Sequence, residues 1–446
     1  MDTPICDFVK SYANSASLRL HMPGHKGKSF VGAEALDITE IEGADVLYSA
    51  EGIIKQSEEN AAKLFGTART FYSAEGSSLS IRAMLYLAML QARALNKRPI
   101  IAAGRNAHKV FITAAALLDM DISWIFPKNS GTVISCEITP ERLEEHFAEM
   151  AEKPVAVYIT SPDYLGNLAD IDGLSRVCRR HGVLLLVDNA HGAYLKFLPH
   201  DIHPITLGAD ICCDSAHKTL PVLTGGAYLH ISKNAPKCFC ERAEDAMALF
   251  ASTSPSYLIL QSLDMANKYI SNGYSERLAE YTKKLGSLKG KLAKMGYVLS
   301  GCEPLKITVS AKPYGYSGSE LAELLCKSGI VCEFSDPDFT VLMLTPENGY
   351  EAIEKIEKAF GAVKRKAEIR SDIPSLGIPK IRLAPRQALF SPWEERCTAE
   401  CIGKVLASAS VSCPPAIPIV ACGEEIDEAA VKLLLYYGIN KCKVVL

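Results

Sequence analysis

Short apolar runs alternate with longer amphipathic segments between about residue 55 and residue 235. Runs of about five apolar residues are typical of strands buried on both faces of a parallel sheet. Helix-start signals lie between the runs, and the clearest is Thr139, an N-cap residue before Pro140. The alternation predicts an α/β layer with a mainly parallel sheet. The predicted strands are Pro99–Ala103, Val155–Ile159, Val183–Val187 and Ala227–Ile231.

Longer periodic segments predict the helices. The strongly apolar Leu79–Leu95 is typical of a buried helix, and Asn106 is the predicted start of a helix that runs through Leu118. The segment Tyr257–Met295 is periodic and charged on one face, which indicates one long helix leading out of the large domain.

The pattern changes near residue 300 and indicates a second, smaller domain. A chain of 446 residues is too long for one small core, so two or three domains are expected. We predict an N-terminal arm over residues 1–50, a large domain over 51–300 and a smaller α+β domain over 301–446. The elements predicted in the smaller domain are strands Leu305–Val309 and Thr340–Leu344, helix Ser319–Ser328, the extended Cys413–Pro418 and a final helix over Asp427–Tyr437.

Composition narrows the possible partners. Charged residues make up 22% of the chain and the formal net charge is -3, so there is no electrostatic case for binding nucleic acid or a membrane. The residues after Met1 lack the basic and apolar regions of a secretory signal, and no apolar run approaches membrane-spanning length. The 15 cysteines are scattered without metal-binding spacing, which predicts buried thiols in a reducing cytoplasm. We therefore expect a cytoplasmic protein without a metal site.

Lys218 and Asp188 together indicate a pyridoxal phosphate site. A lysine that forms a Schiff base with the cofactor aldehyde must first lose its proton, and Lys218 lies among small and apolar residues that favour the neutral amine. Asp188 directly follows the predicted strand Val183–Val187, so it lies at the carboxyl edge of the sheet, where ligands of open α/β sheets bind. A carboxylate facing the ring nitrogen keeps that nitrogen protonated and the ring able to accept electrons.

A phosphate cradle is predicted where the buried helix begins. Gly76, Ser77 and Ser78 precede its apolar residues, and the backbone N–H groups at a helix start favour an anion. The same three residues also make an ordinary N-cap. The lysine motif elsewhere in the chain favours the phosphate site over an ordinary N-cap.

Other polar residues accompany these motifs. His108 follows a predicted strand, where it either stacks on a flat ring or makes a local hydrogen bond. Ser215 and His217 flank the lysine and either donate to phosphate or substrate or stabilise a turn. Asp45 or Glu51 is a candidate for neutralising a cationic substrate tail, although exposed acidic residues more often only aid solubility.

The order of the motifs resembles that of the bacterial ornithine/lysine/arginine decarboxylases, a family of fold-type I pyridoxal phosphate enzymes. The matching motifs are His21-Met22-Pro23-Gly24-His25-Lys26, Glu51-Gly52-Ile53-Ile54, Leu64-Phe65-Gly66, Arg105-Asn106-Ala107-His108-Lys109, Asp188-Asn189-Ala190-His191-Gly192-Ala193 and Ser215-Ala216-His217-Lys218-Thr219-Leu220-Pro221. The tail Pro414-Pro415-Ala416-Ile417-Pro418 resembles the C-terminal domain of that family.

The resemblance implies a fold and a set of roles. The fold is an aspartate-aminotransferase-like large domain with a smaller α+β domain, in a short form without the family's N-terminal wing. Family members assemble at least as homodimers with active sites at the subunit interface. The implied roles are Lys218 as Schiff-base lysine, Asp188 as pyridinium partner, His108 stacking on the ring, Ser77, Ser78 and Ser215 near the phosphate, and His191 and His217 lining the site.

Three residues depart from the family pattern. Asn189 stands where an acidic residue is expected, Glu75 where asparagine is usual, and Ala416 where glycine is usual. None of these changes removes the lysine or its aspartate, but they leave the substrate open.

The predicted activity is α-decarboxylation of arginine, lysine or ornithine, giving carbon dioxide and a polyamine or its precursor. Two alternatives keep the cofactor: a carbon–sulfur lyase, or an aminotransferase in which Arg386 holds the substrate carboxylate. A third alternative is a catalytically silent regulatory homologue. A dinucleotide site is disfavoured, because no Gly-x-Gly-x-x-Gly lies between a strand and a helix.

Overall fold

A computed structural model describes residues 1–128, 135–371, 373–375, 377–413 and 417–446. Ala416 and the two prolines before it lie outside the described residues. The chain forms two compact units, one made of Met1–Leu95 and Leu184–Arg277, the other of Asn96–Val183 and Leu278–Leu446. The predicted division into an arm and two domains stays a prediction.

Seven strands make up the main sheet portions of the two units, four in the first unit and three in the second. They are β1 (Arg69–Ser73), β2 (Ile100–Gly104), β3 (Asp121–Ile125), β4 (Ala156–Thr160), β5 (Leu184–Asp188), β6 (Ile211–Asp214) and β7 (Ala227–Ile231). Within the first unit the order is β1-β7-β6-β5, and within the second unit it is β4-β2-β3. The pairs β5/β6, β2/β3 and β2/β4 are parallel, which confirms a mainly parallel α/β sheet.

All four strands predicted in this region are present, but one runs in the opposite direction to the prediction. Strand β7 is antiparallel to both β6 and β1. A parallel neighbour requires a crossover connection, usually a full helix, and the segment between β6 and β7 contains only the four-residue helix Ala216–Thr219. The sheet is therefore mixed at this edge.

Fourteen α-helices are assigned in the described part of the chain. They are α1 (Pro4–Ala13), α2 (Ile53–Phe65), α3 (Gly76–Ala94), α4 (Lys109–Leu117), α5 (Pro140–Glu149), α6 (Ile171–Arg180), α7 (Ala216–Thr219), α8 (Lys237–Ala248), α9 (Tyr257–Ser271), α10 (Tyr274–Lys294), α11 (Gly318–Lys327), α12 (Gly349–Ala362), α13 (Pro385–Leu389) and α14 (Glu428–Tyr436). The predicted N-cap of α5 is confirmed, since the Thr139 side chain accepts a hydrogen bond from the backbone N–H of Arg142.

Two helix predictions need correction. The helix predicted to start at Asn106 begins at Lys109, after the N-cap residue His108. The single long helix predicted over Tyr257–Met295 is two helices, α9 and α10. The break contains Gly273 at φ 72°, a left-handed conformation that glycine adopts without steric cost and that ends a helix.

The second unit also carries the smaller sheets. Strands β8 (Val298–Ser300), β9 (Lys306–Ser310), β10 (Phe334–Ser335) and β11 (Phe339–Met343) form a sheet in the order β10-β11-β9-β8. Two antiparallel strand pairs follow, β12 (Trp393–Cys397) with β15 (Lys441–Val445) and β13 (Ser410–Cys413) with β14 (Ile417–Ala421). The strands predicted as Leu305–Val309 and Thr340–Leu344 are both present, displaced by one residue.

Among the described residues, no helix is both long enough and apolar enough to cross a bilayer.

Candidate active site

The candidate site lies at the carboxyl ends of β5 and β6 in the first unit. The two strands are parallel and Asp188 pairs in register with Cys213, so both strands end at the same edge of the sheet. Asp188 is the last residue of β5 and only 3% exposed. Its carboxylate accepts hydrogen bonds from the backbone N–H of Ala190 at 3.2 Å and from the Cys213 thiol at 3.7 Å. The predicted strand-end position of this aspartate is confirmed.

Lys218 reaches the same edge from the neighbouring strand. It lies in α7, four residues after the end of β6, and is half-buried. Its Nζ lies 3.0 Å from Nε2 of His191, which is three residues beyond Asp188. The structure therefore brings Lys218 and His191 into hydrogen-bond contact beside the end of β5.

The predicted phosphate cradle forms the start of α3. Gly76 has φ 73°, and its N–H donates to the carbonyl of Gly225 at 2.6 Å. The Ser215 hydroxyl donates to the Ser77 hydroxyl at 2.8 Å, which joins the segment before Lys218 to this helix end. Because α3 has 19 residues, the positive end of its dipole favours an anion beside these hydroxyls.

His217 is held in one protonation state. Its Nδ1 lies 2.9 Å from the carbonyl of Gly226, so Nδ1 carries the proton and donates it. Burial lowers the pKa of His217, which keeps the ring neutral at pH 7. A neutral ring that donates through Nδ1 presents Nε2 as an acceptor.

Two predicted residues lie in the second unit. His108 is the N-cap of α4, and its Nδ1 accepts a hydrogen bond from the backbone N–H of Val110 at 3.2 Å. This is the local hydrogen bond that the sequence also allowed, and the ring-stacking role stays a prediction. Arg386 donates from Nη1 to the carbonyls of Leu117 and Ala116, at 3.0 and 3.4 Å, so its guanidinium covers the end of α4.

The acidic residues suggested for the substrate tail have different positions. The Asp45 carboxylate accepts backbone N–H groups around the start of α2, including those of Gly52 and Ile54 at 2.8 and 2.9 Å. Burial alone would raise the pKa of Asp45, but these backbone donors outweigh it and lower the pKa. The Asp45 carboxylate is therefore occupied by hydrogen bonds to nearby backbone N–H groups, whereas Glu51 is exposed. Glu75, a departure from the family pattern, accepts the N–H of Ser252 at 2.6 Å.

Sequence reasoning missed a buried cluster directly behind the site. Asp214, the last residue of β6, contacts His203, His230 and Asn189, and all four side chains are fully buried. One ligand atom from each of His203, Asp214 and His230 lies within 4.8 Å of the others, a set that a metal ion accepts. The metal-free prediction overlooked this set because its members are scattered in sequence. The β6/β7 register, which pairs Cys212 with His230, brings them together.

The residues present fit pyridoxal phosphate by the chemistry of their donor set. A lysine, a buried carboxylate and an anion-binding helix start with two hydroxyls supply the three groups that hold its aldehyde, ring nitrogen and phosphate. Together the fold and the site define a fold-type I pyridoxal phosphate enzyme.

Comparisons with known proteins identify the family. The family model described as Orn/Lys/Arg decarboxylase, major domain, matches residues 3–310, and the chain belongs to this family. It is thus a pyridoxal-phosphate-dependent amino acid decarboxylase by class. The chain is 29% identical over 463 residues to an arginine decarboxylase of Bacillus subtilis (strain 168), covering 96% of the chain and 92% of the relative. It is 27% identical over 459 residues to the uncharacterized protein YaaO of the same organism, covering 97% and 94%.

Solved structures share the fold. The Francisella novicida lysine decarboxylase LdcF superposes with a TM-score of 0.81 at 18% identity, covering 100% of this chain and 81% of that one. The constitutive lysine decarboxylase of E. coli gives a TM-score of 0.79 at 17% identity, covering 100% and 82%. At these identities the likeness shows the fold alone, and it agrees with the predicted fold class.

Proposed function

We propose that this protein catalyses α-decarboxylation of a basic amino acid, with arginine as the first candidate substrate. The observation that carries the proposal is the contact between Lys218 and His191 beside Asp188, at the carboxyl edge of the sheet. The preference for arginine rests on the printed names of relatives from three Bacillus species and from Halalkalibacterium halodurans, which are arginine decarboxylases. The products are carbon dioxide and agmatine, a polyamine precursor.

Each part of the site has one task in this proposal. When bound, pyridoxal phosphate supplies an aldehyde and a ring that delocalises the electron pair left as the carboxylate departs. Lys218 would hold the cofactor at its aldehyde through the Nζ amine. Asp188 holds a proton on the ring nitrogen, and the start of α3 with Ser77, Ser78 and Ser215 binds the phosphate.

Proton transfer falls to the groups around the lysine. In the proposal, His191 Nε2 accepts a proton from the Lys218 ammonium, because the two nitrogens are 3.0 Å apart, within reach for direct proton transfer. After the carboxylate has left, a proton must be delivered to the carbon that carried it. Lys218, His191 and His217 are the three candidates, and His217 can act only after it has gained a proton on Nε2.

The alternative function as an aminotransferase is supported less well by the structure than by the sequence. Its distinguishing feature was Arg386 as a carboxylate ligand, and that guanidinium donates to backbone carbonyls at the end of α4. A carbon–sulfur lyase and a silent homologue are distinguished by product analysis.

Product analysis across a substrate panel tests the proposal. The purified protein with added cofactor is incubated separately with arginine, lysine and ornithine, and both carbon dioxide and the amino product are quantified. We expect equal amounts of carbon dioxide and agmatine from arginine, and loss of both in Lys218→Ala. Lys233→Arg, at an exposed lysine of the same unit, is the matched control and should keep full activity. A keto acid product, or turnover by Lys218→Ala, would overturn the proposal.

Assembly and location complete the proposal. The homodimer or larger homo-oligomer rests on the family resemblance, and the cytoplasmic location rests on the cysteine content and the ordinary charge balance. Light scattering of the purified protein checks the assembly: a monomeric mass at assay concentration would exclude the dimer.

A further inference from the structure

We propose that Asp214 is a positioning residue that ties the carboxyl end of β6 to the carboxyl end of β5. Its carboxylate is the fully buried centre of the cluster behind the site. The inference rests on the proposed function, because the spacing it maintains is the spacing between Asp188 and Lys218.

The tie is one short hydrogen bond across two neighbouring strand ends. Asn189 donates from Nδ2 to Oδ1 of Asp214 at 2.7 Å, and both side chains are fully buried. Asn189 directly follows Asp188, and Asp214 directly precedes Ser215. A change in this bond therefore moves the backbone on both sides of the site at once, the β5 end with Asp188 and the turn that leads to Lys218.

Two histidines hold the other carboxylate oxygen. Nε2 of His203 and Nε2 of His230 lie 3.1 and 3.2 Å from Oδ2 of Asp214. Burial alone would raise the pKa of Asp214, but the two histidines outweigh it and hold the pKa well below its usual range. Burial lowers the pKa of His230, so this ring stays neutral. Asp214 is thus an ionised carboxylate whose Oδ2 is held by two imidazole rings.

The outer nitrogens of the histidines support this hydrogen-bonded arrangement. The backbone N–H of Ile205 donates to Nδ1 of His203 at 3.4 Å, which leaves the proton of a neutral ring on Nε2, facing Asp214. Nδ1 of His230 lies 2.8 Å from the Thr70 hydroxyl, which is placed to donate to it. A metal ion would instead require unprotonated Nε2 atoms facing Asp214. Hydrogen bonding from the imidazoles to Asp214 therefore explains the observed partners better.

The tie also accounts for a departure from the family pattern. An acidic residue was expected at position 189, where this chain has Asn189. The structure places a carboxylate on the adjacent strand, hydrogen-bonded to that very side chain. In this chain the buried acid of the pair is therefore Asp214 on β6, and Asn189 is the amide that joins it to the end of β5.

Reciprocal substitution tests the pair Asn189 and Asp214. Asp214→Asn removes the charge, Asn189→Asp sets two carboxylates against each other, and the double variant restores one acid and one amide in reversed order. We expect each single variant to weaken cofactor binding to the apoprotein by at least about 10-fold, because a buried charge-assisted hydrogen bond is lost in both. The double variant should return to within about 3-fold of wild type, since the pair is complementary again.

Two readouts separate positioning from general stability. The cofactor dissociation constant is measured by fluorescence on the apoprotein, and the visible absorption band of the bound cofactor is titrated with pH. The matched control is Asp264→Asn, at a buried carboxylate of the same unit that accepts from Ser57 and from the backbone of Cys6. It should lower the melting temperature and leave both readouts unchanged, whereas Asp214→Asn should shift both.

Several results would overturn the inference without touching the proposed function. These are wild-type cofactor affinity and absorption titration in Asp214→Asn, additive effects in the double variant, or an equimolar metal ion in wild type that is absent from Asp214→Asn. If Asp214→Asn does not fold, recovery of folding and cofactor affinity in the double variant supports the tie, and failure to recover them overturns it. Wild-type protein that never binds the cofactor at Lys218 would instead refute the proposed function.

Discussion

Two buried carboxylates, one in each unit, are stabilised in different ways. Glu424 in the second unit forms a bidentate ion pair with Arg105, with oxygens 2.7 and 2.6 Å from Nη1 and Nη2. Arg105 also donates to the carbonyl of Ile419, and Glu424 accepts the N–H of Ala421. Among the described residues, Asp214 in the first unit has no arginine or lysine partner, and its carboxylate contacts an amide, two imidazoles and the Cys212 thiol.

The difference separates a structural role from a functional one. A carboxylate paired in a fork with arginine is neutralised within its own unit, and its removal leaves an uncompensated charge that destabilises the fold. Asp214, which has no such fork, keeps its negative charge at the edge where Lys218 lies and where a protonated ring nitrogen is proposed to bind. We therefore expect substitutions around Asp214 to change cofactor chemistry and substitutions around Glu424 to change stability.

The largest effect should come from the contact that carries the proposed function. His191→Gln removes the proposed acceptor of the Lys218 proton, and we expect kcat to fall by about 10²- to 10⁴-fold with a changed pH profile. His200→Gln, at an exposed histidine of the same segment, is the control and should leave both unchanged. Steady-state kinetics from pH 5 to 9 checks this, and wild-type kcat in His191→Gln would remove His191 from the mechanism.

Glu424→Ala should distinguish most clearly between a loss of stability and a loss of cofactor binding. Breaking a buried ion pair by removing one partner costs about 3–5 kcal/mol, so the urea midpoint should fall steeply while the cofactor dissociation constant stays constant at low urea. The neighbouring Glu425 pairs with Arg382 near the surface, and Glu425→Ala should cost at most about 1 kcal/mol. An equal loss of unfolding free energy in the two variants would show that burial does not determine how much these ion pairs stabilise the fold.

A third carboxyl, Glu58 in the first unit, gives a pH test with a defined sign. Burial raises the pKa of Glu58 to about 8, and its Oε1 accepts the backbone N–H of Tyr72. The folded state keeps this proton up to about pH 8, whereas the unfolded state releases it near pH 4.5. The stability it contributes is therefore complete below pH 4.5 and is lost as the pH rises toward 8.

Glu58→Gln removes this pH dependence while keeping an acceptor for Tyr72. Its stability relative to wild type should grow by up to about 1.4 kcal/mol for each pH unit between those values. The control is Glu59→Gln at the exposed neighbour. Urea unfolding at pH 5, 6.5 and 8 measures the slope, and a constant difference between variant and wild type would contradict the buried, protonated state.

The smallest effect tests a feature without charge. Thr139→Ala removes the N-cap hydrogen bond to Arg142 and should cost about 1 kcal/mol, while Thr139→Ser should retain most of it. Thermal unfolding of the two variants measures the difference. A loss as large as that of Glu424→Ala would show that this cap supports more than the first turn of α5.

The sequence predicted features that depend on local pattern. The apolar runs correctly predicted strands β2, β4, β5 and β7. The positions of Asp188 at the end of β5 and of Lys218 after the next strand were predicted from their motifs. Strand β6 was not predicted, because its four residues Ile211–Asp214 are too short and include two cysteines and an aspartate.

Features that depend on strand direction or distant pairing were not predictable from one sequence. The direction of β7 is set by the short connection before it, and that direction places His230 beside Asp214. The break between α9 and α10 depends on a single glycine inside an otherwise continuous periodic pattern. The cluster at Asp214 therefore became visible only when three separate segments were brought together.

Chemical trapping at Lys218 tests the central claim most directly. The protein is supplied with pyridoxal phosphate, reduced with borohydride, digested and mapped by mass spectrometry. The account predicts one pyridoxyl group per chain on Lys218, and none in Lys218→Ala. Folded wild-type protein that acquires no group there, or acquires it on another lysine, would contradict the account.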